Sequence, residues 1–303
     1  MTNYIDLHTH SNASDGTCTP TEVVRLAAQK GLRAMALTDH DTVSGVEEAM
    51  NAASAFSLPI RVIPGTELSV AYKKQDIHIV GLFVDHRNKS FQDMTQLLIR
   101  RRLERNEEMI RRFNANGIPV TYEELTLGNP DAVITRAHFA RYLVEHQIVK
   151  IPNEAFKKYL DPGCPYFIPR EYIQPEDGIE IIRKAGGVPI LAHPLHYKLP
   201  QKELETLIAR LKDAGLMGIE VKYSNHTVQD EYYASQLASR FDLLPSGGSD
   251  FHGANKPAID IGTGRGTLAV PYEYLENLAA AVDYPLSLSL IHISEPTRRR
   301  GIS

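Results

Sequence analysis

Short apolar segments alternate with helical patterns along most of the chain. The apolar segments read YIDLH, RAMALTDH, IRVIPGTELS, IHIVGLFV, VPILAH, GIEVKYS and FDLLPSGGSD. The first helical pattern, TPTEVVRLAAQKG, opens with a capping box of Thr19 and Glu22 and ends at Gly31. This alternation predicts an α/β fold with a mostly parallel sheet, and seven units favour a β/α barrel over an open sheet.

Residues 91–167 interrupt the alternation. This segment contains a long helical pattern, MTQLLIRRRLERNEEMIRRFNANG, a second helix that opens at ITRAHFARYLVEH, and the proline-rich stretch DPGCPYFIP. We interpret it as a small helical insertion between the fourth and fifth strands that covers the mouth of the barrel. The predicted barrel domain then comprises residues 1–90 and 168–284.

The final residues, 285–303, read PLSLSLIHISEPTRRRGIS and show no periodicity. A stretch without apolar periodicity and with three consecutive arginines is typical of a disordered or non-native tail. We therefore exclude His292 from any predicted site.

Composition and charge narrow the class of protein. With 43% hydrophobic and 23% charged residues, the 303-residue chain is an ordinary globular protein. A net charge of -4 gives no general attraction to nucleic acid or anionic lipid, so any phosphate-binding site must be local. The two cysteines form no CxxC motif, which favours a cytoplasmic protein, and we expect neither a secretory signal nor a membrane-spanning segment.

Histidine and acidic residues occur at or near one end of six of the seven predicted strands. They are His8 and His10, Asp39 and His40, Glu67, His78, His193, and Asp250 and His252, with Asp15 in the first loop. In a parallel barrel the carboxyl ends of the strands form one face, where active sites lie. We therefore expect these side chains to converge at one mouth.

These residue types point to a metal centre. Imidazole nitrogen and carboxylate oxygen without thiolate suit zinc, iron or manganese. His8 and His10 lie two positions apart on an extended segment and face the same way. The set is too large for one ion, so several ions with a bridging carboxylate are expected. Such ions lower the pKa of bound water toward ~7, and the metal-bound hydroxide is then the predicted nucleophile.

Simpler interpretations exist for single residues. The pair His8 and His10 alone is a weak signal, and His78 is also compatible with a core histidine. Asp39 and Asp41 are candidate caps of the following helix, which is the interpretation we favour for Asp41. Asp39 is also a candidate for a residue that does not bind the metal itself but orients a metal ligand through a hydrogen bond.

The motifs DLHTHSNASDG, ALTDHD, PGTELS, DIHIVG, AHP and GSDFH resemble the PHP (polymerase and histidinol phosphatase) family. The resemblance covers the chain except the insertion and the tail. It implies a distorted seven-stranded β/α barrel with two or three metal ions, and an intact ligand set implies three, with manganese expected before iron or zinc. The implied ligands are His8, His10, Asp15, His40, Glu67, His78, His193, Asp250 and His252, and Glu67 would bridge two ions.

Within that family, the arginine-rich helix and TRAHFARYL resemble the bacterial branch of 3',5'-nucleotide bisphosphate phosphatase and the 5'-3' exoribonuclease called RNase AM. Independently of this resemblance, Thr135 is placed to cap a helix whose first residues include Arg136, and we expect the backbone N–H groups, the helix dipole and the guanidinium to face an anion. The further substrate-binding candidates are Arg101, Arg102, Arg105, His138 and His226. The three arginines are equally compatible with a solvated helix face, and the two histidines with structural roles.

The sequence therefore predicts a metal-dependent hydrolase that acts on nucleoside 3',5'-bisphosphates or on the 5' ends of short RNA or DNA. A metal-bound water or His252 is the candidate general acid. One alternative is a small-molecule phosphatase such as histidinol-phosphate phosphatase, and another is a non-enzymatic, metal-stabilised scaffold. The expected partner is the phosphorylated substrate, with no membrane and no stable protein partner.

Overall fold

The computed structural model describes residues 3–73, 75–126, 129–169 and 171–286, and its centre is one eight-stranded sheet. The strands are β1 (Tyr4–Thr9), β2 (Ala34–Leu37), β3 (Arg61–Tyr72), β4 (Gln75–Leu82), β5 (Val188–Leu191), β6 (Gly218–Tyr223), β7 (Leu244–Gly248) and β8 (Val270–Pro271). Their order is β7-β6-β5-β4-β3-β2-β1-β8. The pairs β1–β2, β2–β3, β5–β6 and β6–β7 are parallel, so most of the sheet has the predicted direction.

The sheet closes between its first and seventh strands. The backbone N–H of Asp250 donates to His8 O at 2.8 Å, and that of His10 donates to Phe251 O at 2.9 Å. The segment after β7 therefore continues the ladder along β1, which confirms the predicted α/β barrel. The sheet has eight strands within the described residues and not seven, because the two-residue β8 pairs antiparallel with β1 and is too short to show a periodic pattern.

The third strand departs from the prediction. It does not end at Glu67 but continues to Tyr72 and returns as the antiparallel β4. In this hairpin Ser69 lies opposite His78. His78 therefore reaches the mouth of the barrel although it stands near the beginning of its strand, because β4 runs opposite to its neighbours.

The helices cover the outside of the sheet and fill the connection between β4 and β5. They are α1 (Pro20–Gln29), α2 (Val46–Ala55), α3 (Lys89–Ala115), α4 (Tyr122–Thr126), α5 (Arg136–Glu145), α6 (Pro152–Ala155), α7 (Pro175–Lys184), α8 (Gln201–Asp213), α9 (Val228–Arg240) and α10 (Tyr272–Ala280). The capping box predicted for α1 is confirmed, with Thr19 and Glu22 bonded to each other's backbone N–H. None of the helices in the described ranges is long and apolar enough to cross a membrane.

The segment from α3 to α6 has a small core of its own, in which Met109, Phe113, Phe139 and Tyr142 are buried together. Its links to the first barrel loop include a hydrogen bond from Val133 N to Ala13 O at 2.9 Å and one from Asn129 Nδ2 to Asn12 O at 2.7 Å. These contacts agree with a helical insertion over the mouth, although its predicted boundaries stay predictions. Most of the predicted tail lies outside the described residues.

Candidate metal centre

Glu67 lies at the middle of a buried cluster of histidines. Its side chain is 1% exposed, and five imidazoles surround its two oxygens. The distances to Oε2 are 3.3 Å from His8 Nε2, 3.3 Å from His10 Nε2 and 3.1 Å from His40 Nδ1, and those to Oε1 are 2.9 Å from His78 Nδ1 and 3.0 Å from His193 Nε2. The carboxylate therefore divides the histidines into two sets, as a group between two cations would.

The remaining predicted ligands join the same cluster. Asp15 Oδ1 lies 3.2 Å from His252 Nε2, and Asp15 Oδ2 lies 3.8 Å from His40 Nε2. Asp250 Oδ1 lies 3.5 Å from His10 Nε2 and 3.4 Å from His252 Nδ1. The structure thus brings together all nine residues that the sequence nominated as ligands, from β1, β3, β4 and the loops after four strands, β1, β2, β5 and β7.

The cluster fits divalent metal ions. In the described part of the chain several of its atoms are buried without a hydrogen-bond partner, and these are His8 Nε2, His10 Nδ1 and Nε2, Asp15 Oδ1, His40 Nδ1 and His193 Nδ1. A buried polar group without a partner costs about 1–3 kcal/mol. Three groups have ligand atoms within 4.8 Å of one another: His10, Asp15, His40 and His252; His8, His10 and Glu67; and His40, Glu67 and His78. Nitrogen and oxygen atoms without sulfur suit a catalytic centre of several ions.

Electrostatics reinforce this arrangement. Burial alone raises the pKa of the Glu67 carboxyl, but His78, His40 and His8 around it hold the pKa well below its usual range. Burial lowers the pKa of His10, yet Asp250 and Glu67 outweigh it and raise the value to about 9. The carboxylates are therefore charged at neutral pH, and protons compete with metal ions for the imidazole nitrogens.

The backbone is distorted where two strands deliver their ligands. His193 follows β5 with φ 29°, and Asp250 follows β7 with φ 58°, both in the left-handed region. Such a conformation costs a non-glycine residue about 1–3 kcal/mol and persists only where the surroundings enforce it. Just before Asp250, a Cβ at Gly248 would come within 2.3 Å of His8 Cβ, so only glycine allows β7 to approach β1 this closely.

Sequence reasoning missed Glu220, which supports two of the histidines. Its Oε1 lies 3.1 Å from His8 Nδ1, and its Oε2 accepts the backbone N–H of His193 at 2.7 Å. Outer carboxylates of this kind fix the tautomer and orientation of a metal-ligating imidazole. The only signal in the sequence is one acid inside the apolar strand GIEVKYS.

The two aspartates beside His40 have different roles. Asp39 accepts hydrogen bonds from Ser11 N and Ser14 Oγ, so it organises the first loop and has no hydrogen bond with a histidine among the described residues. The prediction that Asp41 caps the following helix is wrong, because α2 begins after Gly45. Asp41 is instead fully buried and accepts hydrogen bonds from Ser69 N at 2.7 Å and Arg102 Nε at 2.7 Å.

Two cavities open on the cluster. The insertion-side cavity, about 760 Å³, is lined by Asp15 and His252 of the cluster and by Arg102, Arg105 and Arg136 of the insertion. The loop-side cavity, about 420 Å³, is lined by Glu67 and Asp250 and by loops that follow β5, β6 and β7. The cluster is therefore accessible from two directions.

The arginine candidates differ in their surroundings. Arg102 is buried against Asp41 and also donates from Nη2 to Ser69 Oγ at 2.9 Å, so it is not on a solvated face. Arg105 is likewise buried, whereas Arg101 contacts the exposed Glu171 and lines neither cavity. The remaining candidate, Arg136, has long polar contacts with the described residues, from Nη2 to Asp76 at 3.5 Å and from Nη1 to Leu160 O at 3.4 Å, and its guanidinium lies over the Phe167 ring.

The other candidates are held by the protein itself. Thr135 caps α5 as predicted, through a bond from Ala137 N, and its hydroxyl donates to Asp15 Oδ2 at 2.8 Å. His138 completes this capping box by accepting Thr135 N, and burial lowers its pKa to about 4. His226 bonds to the backbone carbonyl of Val221 and lines neither cavity. These contacts are compatible with the structural roles that the sequence allows for His138 and His226.

Comparison with known proteins agrees with this geometry. The PHP domain family matches residues 6–172. The chain is 37% identical to the 3',5'-nucleoside bisphosphate phosphatase of Chromobacterium violaceum, with 85% of this chain and 90% of that protein covered. It is 39% identical to a 5'-3' exoribonuclease of Haemophilus influenzae, with 83% and 91% covered, and 34% identical to the Escherichia coli exoribonuclease Rnm, with 83% and 87% covered.

Two solved structures share the fold. One is a protein of Chromobacterium violaceum described as an amidohydrolase, with bound sulfate, which superposes with a TM-score of 0.79 at 37% identity and covers 86% of this chain and 90% of that one. The other, from Bifidobacterium adolescentis, is assigned to the metal-dependent phosphoesterases and gives a TM-score of 0.79 at 27% identity, with 91% and 95% covered.

Proposed function

The chain belongs to the PHP domain family and is a hydrolase, and we propose that it releases 5'-mononucleotides from nucleoside 3',5'-bisphosphates and from the 5' ends of short RNA or DNA. The observation that supports this most strongly is the position of the buried Glu67, whose two oxygens divide five imidazoles. A centre of several cations beside an arginine-lined cavity is suited to a substrate with two phosphates.

The nine clustered residues hold the ions in this proposal, with Glu67 between two of them. We propose three ions and manganese as the metal, because imidazole and carboxylate ligands accept it and no thiolate favours a softer ion. Bound there, divalent ions supply a water of lowered pKa and neutralise charge on the phosphoryl oxygens. The two cysteines are both free, which is consistent with the predicted cytoplasmic location.

Cleavage of the same bond accounts for the reaction of both substrates. Water adds to phosphorus, the P–O3' bond of the 5'-terminal nucleoside breaks, and the 3' oxygen leaves with the electron pair and takes up a proton. A bisphosphate gives a 5'-mononucleotide and inorganic phosphate. An oligonucleotide gives the same 5'-mononucleotide and a shortened chain with a new 5'-phosphate. The leaving group is identical, so one arrangement of side chains serves both reactions.

Arg136 holds the 5'-phosphate of the leaving nucleotide. It is the first residue of α5, its side chain is 24% exposed, and it lines the insertion-side cavity together with Asp15. A phosphate there gains charge-assisted bonds from the guanidinium that outcompete the long contacts to Asp76 and Leu160. Thr135 acts on the centre through Asp15, and we assign Arg102 to the internal ion pair with Asp41 and not to substrate.

His252 is better suited to be a ligand than a general acid. Its Nδ1 lies 2.8 Å from Asp250 O, and its Nε2 lies 3.2 Å from Asp15 Oδ1. Both ring nitrogens are thus engaged within the cluster. We propose that the proton for the 3' oxygen comes from water in the insertion-side cavity.

Manganese-loaded protein should release adenosine 5'-monophosphate from both adenosine 3',5'-bisphosphate and a 5'-phosphorylated RNA trinucleotide. Histidinol phosphate should react at least about a hundredfold more slowly, since it has no second phosphate for Arg136. In Glu67→Gln, kcat should fall on the order of 10³-fold, because metal ions supply several kcal/mol of charge stabilisation.

Chromatography of the products and metal quantification measure these outcomes. Glu276→Gln makes the same chemical change at an exposed position of α10 and should behave as the wild type. Metal-replete protein that leaves both nucleotide substrates intact would contradict the proposal. A preference for histidinol phosphate would move the function to small-molecule phosphatases.

A further inference from the structure

The proposed function uses the metal cluster and the insertion-side cavity, and it gives no role to the loop-side cavity. Among the described residues that line it, none comes from the connection between β4 and β5. One part of its wall is the metal cluster, and another is the apolar segment Pro257, Ala258 and Ile259. Its volume of about 420 Å³ is within the range of small-ligand sites, ~300–1,000 Å³. A ligand bound at the cluster can therefore extend into it.

Arg265 supplies a cation at the edge of this cavity. It is exposed, and no described carboxylate lies within 4.0 Å of it, whereas Lys256 on the same cavity is paired with Asp250 at 2.7 Å. Its Nε donates to Asn225 Oδ1 at 2.7 Å, which leaves Nη1 and Nη2 to face another group. Arg265 is thus the cation on this side of the cluster whose charge is not matched by a neighbouring acid.

The position of Arg265 is built into the fold. It lies in the turn sequence GTGRG, where Asp260 and Gly264 exchange two backbone hydrogen bonds of 2.8 Å. Gly264 has φ 56°, and a Cβ there would lie 2.5 Å from Ser224 Oγ, so only glycine lets the turn rest on the loop after β6. The turn therefore holds the guanidinium at a fixed edge of the cavity.

A chain of hydrogen bonds connects this edge to the cluster. Asn225, which accepts from Arg265, donates from Nδ2 to Tyr223 OH at 3.4 Å, and Tyr223 OH donates to Asp250 Oδ2 at 2.9 Å. These hydrogen bonds hold four side chains in fixed relative positions as one wall of the cavity: Asp250, Tyr223, Asn225 and Arg265. Such a wall suits a ligand that has one anionic group at the cluster and another further out.

We propose that the loop-side cavity binds the second nucleotide of an oligonucleotide substrate, with Arg265 on the phosphate that follows it. This rests on the proposed function. With the 5'-phosphate at Arg136 and the scissile phosphate at the cluster, the rest of the chain is attached to phosphorus through the 5' oxygen of the second nucleotide. That nucleotide enters the loop-side cavity, and the next phosphate reaches Arg265. A nucleoside bisphosphate places nothing there.

The test compares two substrates that differ by the phosphate in question. A 5'-phosphorylated dinucleotide lacks the phosphate that Arg265 contacts, and a 5'-phosphorylated trinucleotide has it. In the wild type, kcat/KM for the trinucleotide should exceed that for the dinucleotide by about tenfold, the effect of one charge-assisted hydrogen bond. In Arg265→Gln this ratio should fall to near one, whereas Arg25→Gln, an exposed arginine on α1, should keep it.

Binding gives a second readout. Fluorescence anisotropy on the manganese-loaded protein, with labelled oligonucleotides in which a methylene group replaces the scissile 3' oxygen, should show the same tenfold ratio of dissociation constants and its loss in Arg265→Gln. In a plot of log affinity for the trinucleotide against log salt concentration, the slope for Arg265→Gln should be smaller in magnitude than that for the wild type by about 0.7, which is the contribution of one single-strand phosphate. A wild-type ratio near one, or a ratio that survives in Arg265→Gln, overturns the subsite. Protein that hydrolyses neither oligonucleotide nor bisphosphate overturns the proposed function instead.

Discussion

The ionisable side chains around the barrel mouth fall into two groups that differ in whether the protein satisfies them. In the ring of strand ends, buried nitrogens such as His8 Nε2 and His10 Nε2 have no hydrogen-bond partner among the described residues. In the insertion, Arg102 is paired with Asp41 and Ser69, and His138 is bonded to Thr135. The first group is complete only with a ligand, whereas Arg102 and His138 are satisfied by the protein itself. Proximity to the mouth therefore does not identify a binding residue.

The ion pair between Arg102 and Asp41 offers the largest test of this difference. Arg102→Met removes the guanidinium that forms an ion pair with the fully buried Asp41 at 2.6 Å. The free energy of unfolding should fall by about 3–5 kcal/mol, the usual cost of removing one partner of a buried pair. Urea denaturation of the metal-free protein measures it.

Two companion variants make this result specific. Arg101→Met, one position earlier and paired among the described residues with the exposed Glu171, should change stability by less than about 1 kcal/mol. Adding Asp41→Asn to Arg102→Met should recover part of the loss, because the buried charge is then gone. Equal effects of Arg101→Met and Arg102→Met would contradict an internal role for Arg102.

His138 gives a second test, through pH. Its folded-state pKa is about 4, below the ordinary value of 6.5, because burial disfavours the charged form. Between pH 4 and 6.5 the unfolded chain therefore binds about one more proton than the folded protein. The contribution of His138 to stability is present above pH 6.5 and is lost as pH falls toward 4. The loss from this residue should be about 3 kcal/mol.

His138→Gln isolates that contribution. Glutamine at the same position also accepts Thr135 N in a capping box, but it does not titrate. The free energy of unfolding of the metal-free variant should depend less steeply on pH between 6.5 and 4, by about one proton. Parallel pH profiles for the two proteins would show that the histidine is not held neutral inside the insertion.

The two groups also differ in how far the sequence predicts them. The ring was predictable because most of its ligands lie at or just after the end of an apolar strand, so the barrel alone brings residues such as His40 and His193 to one face. The third strand extends beyond Glu67, contrary to the prediction, but the predicted ligand set is unaffected because the hairpin brings His78 back to the same end of the barrel. The predicted ligand set depended on strand ends and not on exact strand lengths.

The insertion shows where such reasoning stops. Asp41 and Arg102 are 61 positions apart, and their ion pair depends on how α3 lies across the mouth, which no periodicity encodes. Asp41 therefore resembled a helix cap, and Arg102 resembled its solvated neighbours. Arg265 was missed for a similar reason, because its importance comes from the turn and from Asn225 rather than from a motif.

Glu220 gives the smallest effect and the sharpest test of the ring. A carboxylate accepts from both His8 Nδ1 and His193 N, whereas the amide of Glu220→Gln has one acceptor oxygen and leaves one donor facing an NH₂ group. Affinity for manganese should fall about 10- to 100-fold, the usual cost of losing an outer carboxylate. Competition with a chelator measures it, and Glu276→Gln is the matched control.

The readout separates orientation from simple packing. If Glu220 only fills space in β6, the variant should unfold more easily without metal while the affinity of the remaining folded protein for manganese is unchanged. If it orients His8, metal affinity should fall even where the metal-free unfolding free energies of variant and wild type agree to within about 1 kcal/mol. A metal centre must hold its imidazoles in position before the metal binds, which is the role that we expect of Glu220. Unchanged affinity for manganese in Glu220→Gln would show that the nine ligands keep their positions without Glu220.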